Sequence, residues 1–343
     1  MTSFKNFIHR FGTCFASLIL ILFYVAAFIG CTSDNQETEK PKMMNQWEVS
    51  QPVLLPGKKG SFDETAVKDP SFVRYEGRWH LFYTGRGRGH YSLGYVSAET
   101  MEDLNAAPRT YLEQLDDQAG YSAAPQVFYF EPQQLWYLIY QNTDDYYQPV
   151  YSVNSYVGNP EDWAAPQNLI EKDEEDKWID FWIIADDSLV YLFYTQSHWD
   201  VMVRSTRIED FPSGWGEAEK VLSGVHEAVH IYKEKDQPLY QMIYESNGGG
   251  VDGYRYFGKA VADKLDGPWV ITDSLYASGE KLVYPSGVEQ WTELVSHGEA
   301  VRTGYDQRLE YDAENPVWLI QGLNRRDFID EYAELPWKLG LIK

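Results

Sequence analysis

A short apolar and aromatic phrase recurs five times along this chain, and it restricts the possible folds more than any other feature of the sequence. The copies are Leu81–Thr84, Leu138–Gln141, Leu192–Thr195, Met242–Glu245 and Leu319–Gly322. Their starts are separated by 57, 54, 50 and 77 residues. A β-rich unit that repeats about every 50 residues is typical of a propeller. The sequence therefore predicts an all-β protein, and specifically a five-bladed β-propeller.

The first three copies of the phrase each follow another β-rich run and a turn. These runs are Ser71–Tyr75, Val127–Phe130 and Trp182–Ala185. They are rich in aromatic and β-branched residues, and helical periodicity is scarce in the chain, so we interpret the pairs as hairpins. Two β-sandwiches are the structural alternative, but two separate domains would not share one repeat. We therefore expect a single propeller domain over residues 47–343.

Three acidic residues fall at the start of the first strand of their predicted blades. Asp69 and Asp180 each lie 12 residues before the recurring phrase, and Glu227 lies 15 before it, with the longer turn Lys233–Pro238 accounting for the excess. Gln126 takes the corresponding place in the second blade. Because first strands line the channel of a propeller, we expect the three carboxylates to converge at one of its mouths. The structural alternative is that each acid merely binds free backbone amides.

The residues around these acids are apolar or aromatic, which predicts poorly solvated carboxyl groups with perturbed pKa values. Glycoside hydrolysis needs such a set, because one carboxyl group protonates the leaving oxygen while another activates water or attacks the sugar. A third carboxylate can raise the pKa of the acid by repulsion. Tyr83, Tyr91, Trp178 and Trp199 are candidates for stacking on sugars, although a place in the core is the simpler interpretation for each.

The composition agrees with a neutral, ring-shaped ligand. The 343 residues carry a formal charge of −23, and 16% of them are aromatic. This acidity argues against a nucleic-acid partner, because a phosphate-binding surface needs clustered Lys and Arg. The two cysteines are too few for a disulfide framework or a Cys-based zinc site.

Residues 1–31 have the pattern of a bacterial lipoprotein signal. Lys5 and Arg10 form a basic start, and an apolar run over Phe11–Ile29 leads to Gly30 and Cys31. In this interpretation a signal peptidase cuts before Cys31, and Cys31 then carries the lipid. The alternative is an uncleaved membrane anchor, since about 19 apolar residues can nearly span a bilayer.

Loss of the basic signal would take the formal charge from −23 to −25, because residues 1–30 hold Lys5 and Arg10 and no acid. The polar stretch over residues 32–46 then reads as a flexible tether. We therefore expect a monomer held by its lipid at a membrane of the bacterial cell envelope.

Seven further segments carry a resemblance to a known family through their order and spacing. They are Val67–Pro70, Ala123–Phe130, Phe211–Gly214, Glu227–Tyr232, Tyr254–Phe257, Ser296–Arg302 and Tyr305–Gln307. Together they resemble glycoside hydrolase family 62, the inverting α-L-arabinofuranosidases, over about 270 residues from Lys68 to the C-terminus. Five-bladed propellers of family 43 share the carboxylate plan, but the stretch from Ser296 to Glu299 is not expected in them.

The resemblance implies a role for each carboxylate. Asp69 matches the general base of the family, Glu227 its general acid, and Asp180 the aspartate that modulates the pKa of the acid. Water held by Asp69 would attack the anomeric carbon while Glu227 protonates the departing oxygen. The carboxyl groups of an inverting pair are about 6.5–9.5 Å apart, which leaves room for that water.

The resemblance also implies further contacts. Lys68, Arg302 and Tyr305 match residues that line the arabinose pocket. The family tends to hold a structural calcium ion near the channel, partly through a histidine, and His297 is the candidate here; its alternative is a hydrogen-bonded core histidine. No organic cofactor is expected.

These observations predict an enzyme that removes α-L-arabinofuranosyl side groups from arabinoxylan or a related plant polysaccharide. Two alternatives stay open at this point. One is a β-xylosidase or arabinanase on the same propeller. The other is a non-catalytic surface lipoprotein whose acids merely bind glycan hydroxyls.

Overall fold

The structure is a computed structural model that describes residues 46–143, 147–171, 177–248 and 254–343. The predicted signal with Cys31, and the predicted tether apart from Gln46, lie outside the described residues. Within the described ranges the regular elements are β-strands and short 3-10 helices. None of the helices there has the length and apolar character needed to cross a membrane.

The strands follow one another as five consecutive groups. Strand β1 spans Trp47–Leu54. Blade 1 contains β2 (Ala66–Tyr75), β3 (Arg78–Gly87), β4 (His90–Ala98) and β5 (Arg109–Tyr111). Blade 2 contains β6 (Ser122–Phe130), β7 (Leu135–Asn142), β8 (Gln148–Asn154) and β9 (Gln167–Asn168). Blade 3 contains β10 (Trp178–Ala185), β11 (Leu189–Gln196), β12 (Asp200–Arg207) and β13 (Glu219–Ser223).

The remaining strands form the last two blades. Blade 4 contains β14 (Glu227–Glu234), β15 (Tyr240–Ser246), β16 (Tyr256–Ala262) and β17 (Val270–Ala277). They are followed by β18 (Leu282–Val283), β19 (Ser296–Ala300), β20 (Glu310–Tyr311), β21 (Trp318–Gly322) and β22 (Lys338–Ile342). Of these, β20 pairs with β14 and adds an edge strand to blade 4. The 3-10 helices are Leu104–Ala106, Glu113–Leu115, Pro160–Asp162, Gly279–Lys281, Arg325–Asp327 and Tyr332–Glu334.

Blade 5 is built from both ends of the described chain. Its strand order is β19-β21-β22-β1-β18, so β1 pairs with the last strand, with Val49 opposite Ile342. Backbone hydrogen bonds between Glu48 and Lys343 in both directions extend this pairing. A strand from the start of the chain thus completes the last sheet and closes the ring. The five sheets confirm the predicted five-bladed β-propeller.

The recurring phrase marks the second strand of each blade. Its first residue is at most 1% exposed in every copy, at Leu81, Leu138, Leu192, Met242 and Leu319. Second strands lie inside their sheets, and burying one such side chain contributes about 1.5–3 kcal/mol. Each blade therefore needs a large apolar residue at this place, and that need produces the repeat.

A β-bulge interrupts the first strand of every blade at the same end. The pairing shifts between Lys68 and Ser71, Ala123 and Gln126, Ile179 and Trp182, Glu227 and His230, and Ser296 and Gly298. In the first four blades a bulged residue has a left-handed backbone, with φ of 45° at Asp69, 52° at Ala124, 58° at Asp180 and 52° at Ala228. A bulge turns side chains out of the ladder, and here it directs them to the channel mouth.

The backbone N–H groups at these bulges are bound by side chains of the preceding blade. The acceptors lie near the end of the recurring phrase, at its fourth residue in blades 1, 2 and 4 and at its third in blade 5: Gln321 for Asp69 (2.9 Å), Thr84 for Ala124 (2.8 Å), Gln141 for Asp180 (3.4 Å) and Glu245 for His297 (2.8 Å). These contacts satisfy amides that the bulge removes from the ladder and tie each blade to the next.

The register corrects one part of the sequence interpretation. Phe72 lies nine positions before its partner Leu81, whereas Val127 lies eleven positions before Leu138, so the turn of blade 2 is two residues longer. The counterpart of Asp69 in blade 2 is therefore Ala124, and the prediction of Gln126 is wrong. The Gln126 amide instead exchanges two hydrogen bonds of 2.7 Å with the backbone of Ile183 and joins blades 2 and 3.

The same longer turn occurs in blade 4, where Ile231 pairs with Met242. Glu227 lies three residues farther from the phrase than Asp69 and Asp180 do, and the longer turn accounts for two of these three residues. The counterpart of Asp69 in blade 4 is therefore Ala228. Glu227 lies one position earlier, which is the place that Lys68 occupies in blade 1. The general-acid candidate thus reaches the channel mouth from a different position than the two aspartates.

Candidate active site

A cavity of about 340 Å³ opens at the end of the channel where the bulges lie. Five predicted site residues line it: Lys68, Asp69, Asp180, Glu227 and His297. The further side chains on its wall come from all five blades or the connections between them: Thr84, Tyr91, Tyr121, Gln141, Tyr147, His198, His226, Arg255 and Tyr332. The predicted convergence of the three carboxylates is therefore present in the structure.

Asp69 lies between two cationic groups. Its Oδ1 is 3.9 Å from Nζ of Lys68 and 3.4 Å from Nδ1 of His297. Burial disfavours the charged forms of Lys68 and His297. The carboxylate of Asp69 nevertheless keeps the pKa of Lys68 well above its usual value. Asp69 and Asp180 likewise outweigh burial and raise the pKa of His297.

Asp180 is a buried carboxyl group with a structural contact. Its Oδ2 accepts a 2.9 Å hydrogen bond from the backbone N–H of Ala228. At the other bulges a side chain of the preceding second strand binds the backbone amide. Here the corresponding side chain is Thr195, whose buried hydroxyl has no hydrogen-bond partner in the described structure. Burial raises the pKa of Asp180 to about 6, with His297 opposing the rise and the charges of Glu227 and Asp69 adding to it.

Glu227 is surrounded by donors. Its Oε1 is 3.2 Å from Nη1 of Arg255, and its Oε2 is 3.4 Å from Nδ1 of His198 and 3.5 Å from Nε2 of His226. Burial raises the pKa of Glu227, but the hydrogen bond from His198 and the charge of Arg255 outweigh it and hold the pKa well below its usual range. In the free site Glu227 is therefore ionised.

A second glutamate, Glu245, lies behind Glu227 and is fully buried. Arg255 donates from one nitrogen to both carboxylates. The other oxygen of Glu245 accepts from the Ser296 hydroxyl at 2.6 Å and from the His297 N–H at 2.8 Å. Burial raises the pKa of Glu245, with Arg255 opposing that rise. Glu245 thus connects the environment of Glu227 to that of His297.

Sequence reasoning missed Glu245, although a signal existed. Glu245 ends the fourth copy of the recurring phrase, where the first three copies have Thr84, Gln141 and Thr195. A carboxylate at a position otherwise held by neutral residues marks the blade as different. Arg255, His198 and Tyr332 lie in connections between strands, and no periodicity indicated them.

Tyrosines form much of the remaining wall. Nζ of Lys68 lies 5.1 Å from the ring centre of Tyr91 and 4.7 Å from that of Tyr332, within cation–π distance. Of the stacking candidates from the sequence, Tyr91 lines the cavity, whereas Tyr83 and Trp178 are buried in the core. Trp199 is 61% exposed and follows His198 at the rim.

Arg302 and Tyr305 do not line the cavity, which corrects their predicted placement. Arg302 is buried deeper in the channel, where it donates to the carbonyl oxygens of Phe72 (2.6 Å) and Val127 (2.9 Å). Tyr305 packs on Tyr75, which lies six residues along β2 from Asp69, or about 20 Å at the rise of a strand. Among the residues near the C-terminus, Tyr332 is the tyrosine that lines the cavity.

The described side chains around His297 do not by themselves fit a calcium ion. Calcium takes six to eight oxygen ligands, whereas the carboxylate oxygens within 4.0 Å of Nδ1 of His297 in the described structure are Oδ1 of Asp69 at 3.4 Å and Oδ2 of Asp180 at 4.0 Å. The Asp180 oxygen also accepts from Ala228. His297 as a calcium ligand stays a prediction, and the mechanism below does not use an ion.

Comparison with known proteins assigns the family. A propeller with buried carboxylates at one channel mouth is the architecture expected of a glycoside hydrolase. Residues 46–343 match the sequence model of glycosyl hydrolase family 62. The chain belongs to this family, as its motifs predicted.

The relatives include both a curated protein and solved structures. The chain is 30% identical over 311 residues to alpha-L-arabinofuranosidase C of Cellvibrio japonicus, covering 87% of this chain and 47% of that protein. It thus spans about half the length of this curated relative. The catalytic domain of a Coprinopsis cinerea family 62 α-L-arabinofuranosidase superimposes with a TM-score of 0.80 at 32% identity, covering 87% of this chain and 96% of that one.

Two further structures of relatives contain oligosaccharides. The Podospora anserina α-L-arabinofuranosidase in complex with cellotriose has a TM-score of 0.78 at 29% identity and covers 87% of this chain and 96% of that one. A family 62 hydrolase in complex with xylotriose has a TM-score of 0.79 at 31% identity and covers 88% and 98%.

Proposed function

We propose that this protein is an inverting α-L-arabinofuranosidase that removes arabinofuranosyl side groups from arabinoxylan or a related plant polysaccharide. The observation that carries the proposal is the single cavity lined by Asp69, Asp180 and Glu227. The family membership and the arabinofuranosidases among the relatives support it. The relatives that bind xylotriose and cellotriose support a β-1,4-linked backbone as the polymer.

The shape of the cavity favours a side group over a polymer chain. A volume of about 340 Å³ has room for one pentofuranosyl ring and an attacking water. Tyr91, Tyr121 and Tyr332 close its sides. Such a pocket accepts the end of a branch, whereas an arabinanase or xylanase cleft has to let the backbone pass through. Exo-removal of a single sugar is therefore the reaction that we infer.

Asp69 is the base in this mechanism. Its Oδ1 lies 3.9 Å from Nζ of Lys68 and 3.4 Å from Nδ1 of His297, and the carboxylate accepts a proton from a water molecule. That water forms the new bond to the anomeric carbon on the face opposite the departing oxygen. The glycosidic C–O bond breaks, its electron pair goes to the departing oxygen, and a proton from Glu227 neutralises it.

Glu227 must gain a proton before it can act as the acid. In the free site His198 and Arg255 favour its ionised form. Half of the His198 side chain is exposed, and its residue lies in the turn between β11 and β12. We infer that the bound glycan replaces His198 at Oε2, which removes the hydrogen bond that stabilises the charge. The pKa of Asp180 is about 6, so above that pH Asp180 carries a negative charge that favours protonation of Glu227.

Incubation of the purified protein with wheat arabinoxylan tests this function directly. The expected result is release of arabinose as the only monosaccharide, with the xylan backbone left intact. Asp69→Asn is the control, because it keeps the size of the side chain and removes the base. Release of xylose, or saturable glycan binding without any released sugar, would contradict the proposal.

We also propose that Cys31 is lipidated and holds the enzyme, as a monomer, at a membrane of the cell envelope. The basic start, apolar run and Gly30-Cys31 junction support this proposal. Metabolic labelling with an alkyne fatty acid, compared between the full chain and a Cys31→Ser variant, tests it. Label that persists in the variant, or absence of label in the full chain, would contradict it.

A further inference from the structure

His198, His226 and Glu227 form a cluster at one side of the cavity. One ligand atom from each residue lies within 4.8 Å of the others, and among the described residues this is the one group of three such side chains that meets this spacing. We propose that the cluster is a binding site for a first-row divalent transition-metal ion such as Zn²⁺, and that occupancy switches the enzyme off. The inhibitory effect rests on the proposed function, whereas metal binding itself does not.

The donor atoms select the class of metal. Two imidazole nitrogens and one carboxylate oxygen suit zinc and its neighbours, while calcium prefers oxygen ligands alone. Oε2 of Glu227 lies 3.4 Å from Nδ1 of His198 and 3.5 Å from Nε2 of His226. Ligands at about 2.0–2.1 Å from a tetrahedral zinc are separated by about 3.3–3.4 Å. The two distances to Glu227 are therefore near those of a zinc site. The two imidazole nitrogens lie within 4.8 Å of each other, so binding would require a small inward shift of His198.

Neighbouring contacts hold the ligands in place. The side-chain amide of Asn247 lies 3.2 Å from Nδ1 of His226, so Nε2 is the nitrogen that faces Glu227. The Asn247 atom at this distance is the amide nitrogen, which donates to Nδ1. When Nε2 binds a metal, Nδ1 carries the proton instead, and a flip of the Asn247 amide then presents its oxygen as the acceptor that metal-ligating histidines use. The rings of His198 and His226 stack with centres 4.8 Å apart.

The third ligand, His198, can approach the metal ion without movement of a blade. His198 is half exposed in a turn, and its Nδ1 also lies 3.2 Å from the carbonyl oxygen of His226. A metal ion would replace this contact. The open side leaves a fourth position for water, so the ion can enter from solvent.

A metal ion bound here would act on the proposed acid. Coordination occupies the lone pair of Oε2 on Glu227, which is the oxygen that His198 contacts in the free site. A metal-bound carboxylate cannot carry the proton that the departing oxygen requires. The ion would also fill the space where the leaving group lies. We therefore expect the metal ion to compete with the glycan for binding and to inhibit hydrolysis.

Calorimetric titration tests binding without any use of activity. The full chain, purified without a histidine tag and treated with chelator, is titrated with ZnCl₂, and the same sample is examined for Co²⁺ absorption bands between 500 and 650 nm. We expect one saturable site and tetrahedral cobalt bands. Affinity should fall at least tenfold in His226→Gln and in Glu227→Gln. His90→Gln, which changes a histidine outside the cavity, should bind as the unchanged chain does.

The outcomes separate the two proposals. Absence of saturable binding, or equal affinity in the unchanged chain and in both cluster variants, would overturn the metal site; an additional circular-dichroism spectrum shows that each variant is folded. Zinc binding with no arabinose release under any condition would support the site and contradict the proposed function. Stoichiometric binding to an active enzyme without inhibition would overturn the switch.

Discussion

The carboxylate of Asp180 accepts a hydrogen bond of 2.9 Å from the backbone N–H of Ala228, the residue directly after Glu227. The hydrogen bond fixes the backbone next to the proposed acid. The proposed mechanism gives Asp180 a second function, in which its charge acts on the proton of Glu227. The two functions can be separated by substitution, because asparagine keeps an acceptor oxygen and loses the charge.

Asp180→Asn should keep the fold and change the pH dependence. Removal of a negative charge near Glu227 lowers the pKa of Glu227. Since the acid must be protonated, kcat/KM should fall at a lower pH than in the unchanged enzyme, and its maximum should decrease by at least tenfold. A pH profile on an aryl arabinofuranoside measures both quantities, and an unchanged or upward-shifted high-pH limb would be inconsistent with this role.

Asp180→Ala removes the acceptor as well. The Ala228 amide, which is buried in the bulge, would lose its partner, and an unsatisfied buried donor costs about 1–3 kcal/mol. We expect the free energy of unfolding in urea to decrease by that amount relative to Asp180→Asn. Equal stability of the two variants would show that the hydrogen bond to Ala228 has no structural importance.

His198→Ala should shift the pH profile in the opposite direction. The hydrogen bond from His198 opposes the effect of burial and lowers the pKa of Glu227. Its removal raises that pKa, so the acid stays protonated to higher pH, and the high-pH limb of kcat/KM should move upward by about one unit. A downward shift, or none, would mean that His198 does not control the proton of Glu227.

Glu227→Gln should affect substrates according to their leaving groups. A general acid contributes about 10²–10⁴-fold to the rate, and a leaving group that departs without protonation needs less of this help. We expect a loss of at least 100-fold on arabinoxylan and a much smaller loss on 4-nitrophenyl arabinofuranoside. Asp69→Asn should reduce both rates strongly. Equal losses on both substrates in Glu227→Gln would argue against its role as the acid.

Glu245→Gln tests the contact that joins Glu227 to the rest of the site. Glutamine can still accept from Ser296 and His297, but it no longer neutralises Arg255, which then pairs with Glu227 alone. We expect kcat to fall about tenfold and the free energy of unfolding to decrease by about 1–3 kcal/mol.

Glu310→Gln provides the control for this prediction. It breaks the partly exposed pair with Lys233 on the same blade, outside the cavity. An exposed pair of this kind contributes about 0–1 kcal/mol, and activity should not change. If both variants behave alike, Glu245 has no special connection to the site.

The propeller could be predicted because every blade has the same packing requirement. Leu81 and Leu138 lie at one position of a buried second strand, and the need for a large apolar residue there leaves a visible period. Asp69 and Asp180 could be placed from that period because their hairpin turns have equal length. Where turn lengths differ, as in the hairpins that follow Gln126 and Glu227, counting from the phrase misplaced the register by up to two residues.

Other parts of the site could not be predicted because they do not repeat. Arg255 and Tyr332 reach the cavity from connections whose course depends on the assembled ring. The match of Tyr305 to a family motif identified a tyrosine near the far end of β2 instead of Tyr332, which lines the cavity. The closure of blade 5 by β1 likewise depends on contacts between residues almost 300 positions apart.

The stereochemistry of hydrolysis tests the central claim most directly. Proton NMR during the first minutes of arabinoxylan hydrolysis shows which anomer of arabinose forms before mutarotation. If water activated by Asp69 attacks opposite the departing oxygen, the first product is β-L-arabinofuranose. Initial formation of the α-anomer would contradict a single displacement and the assignment of Asp69 as the base.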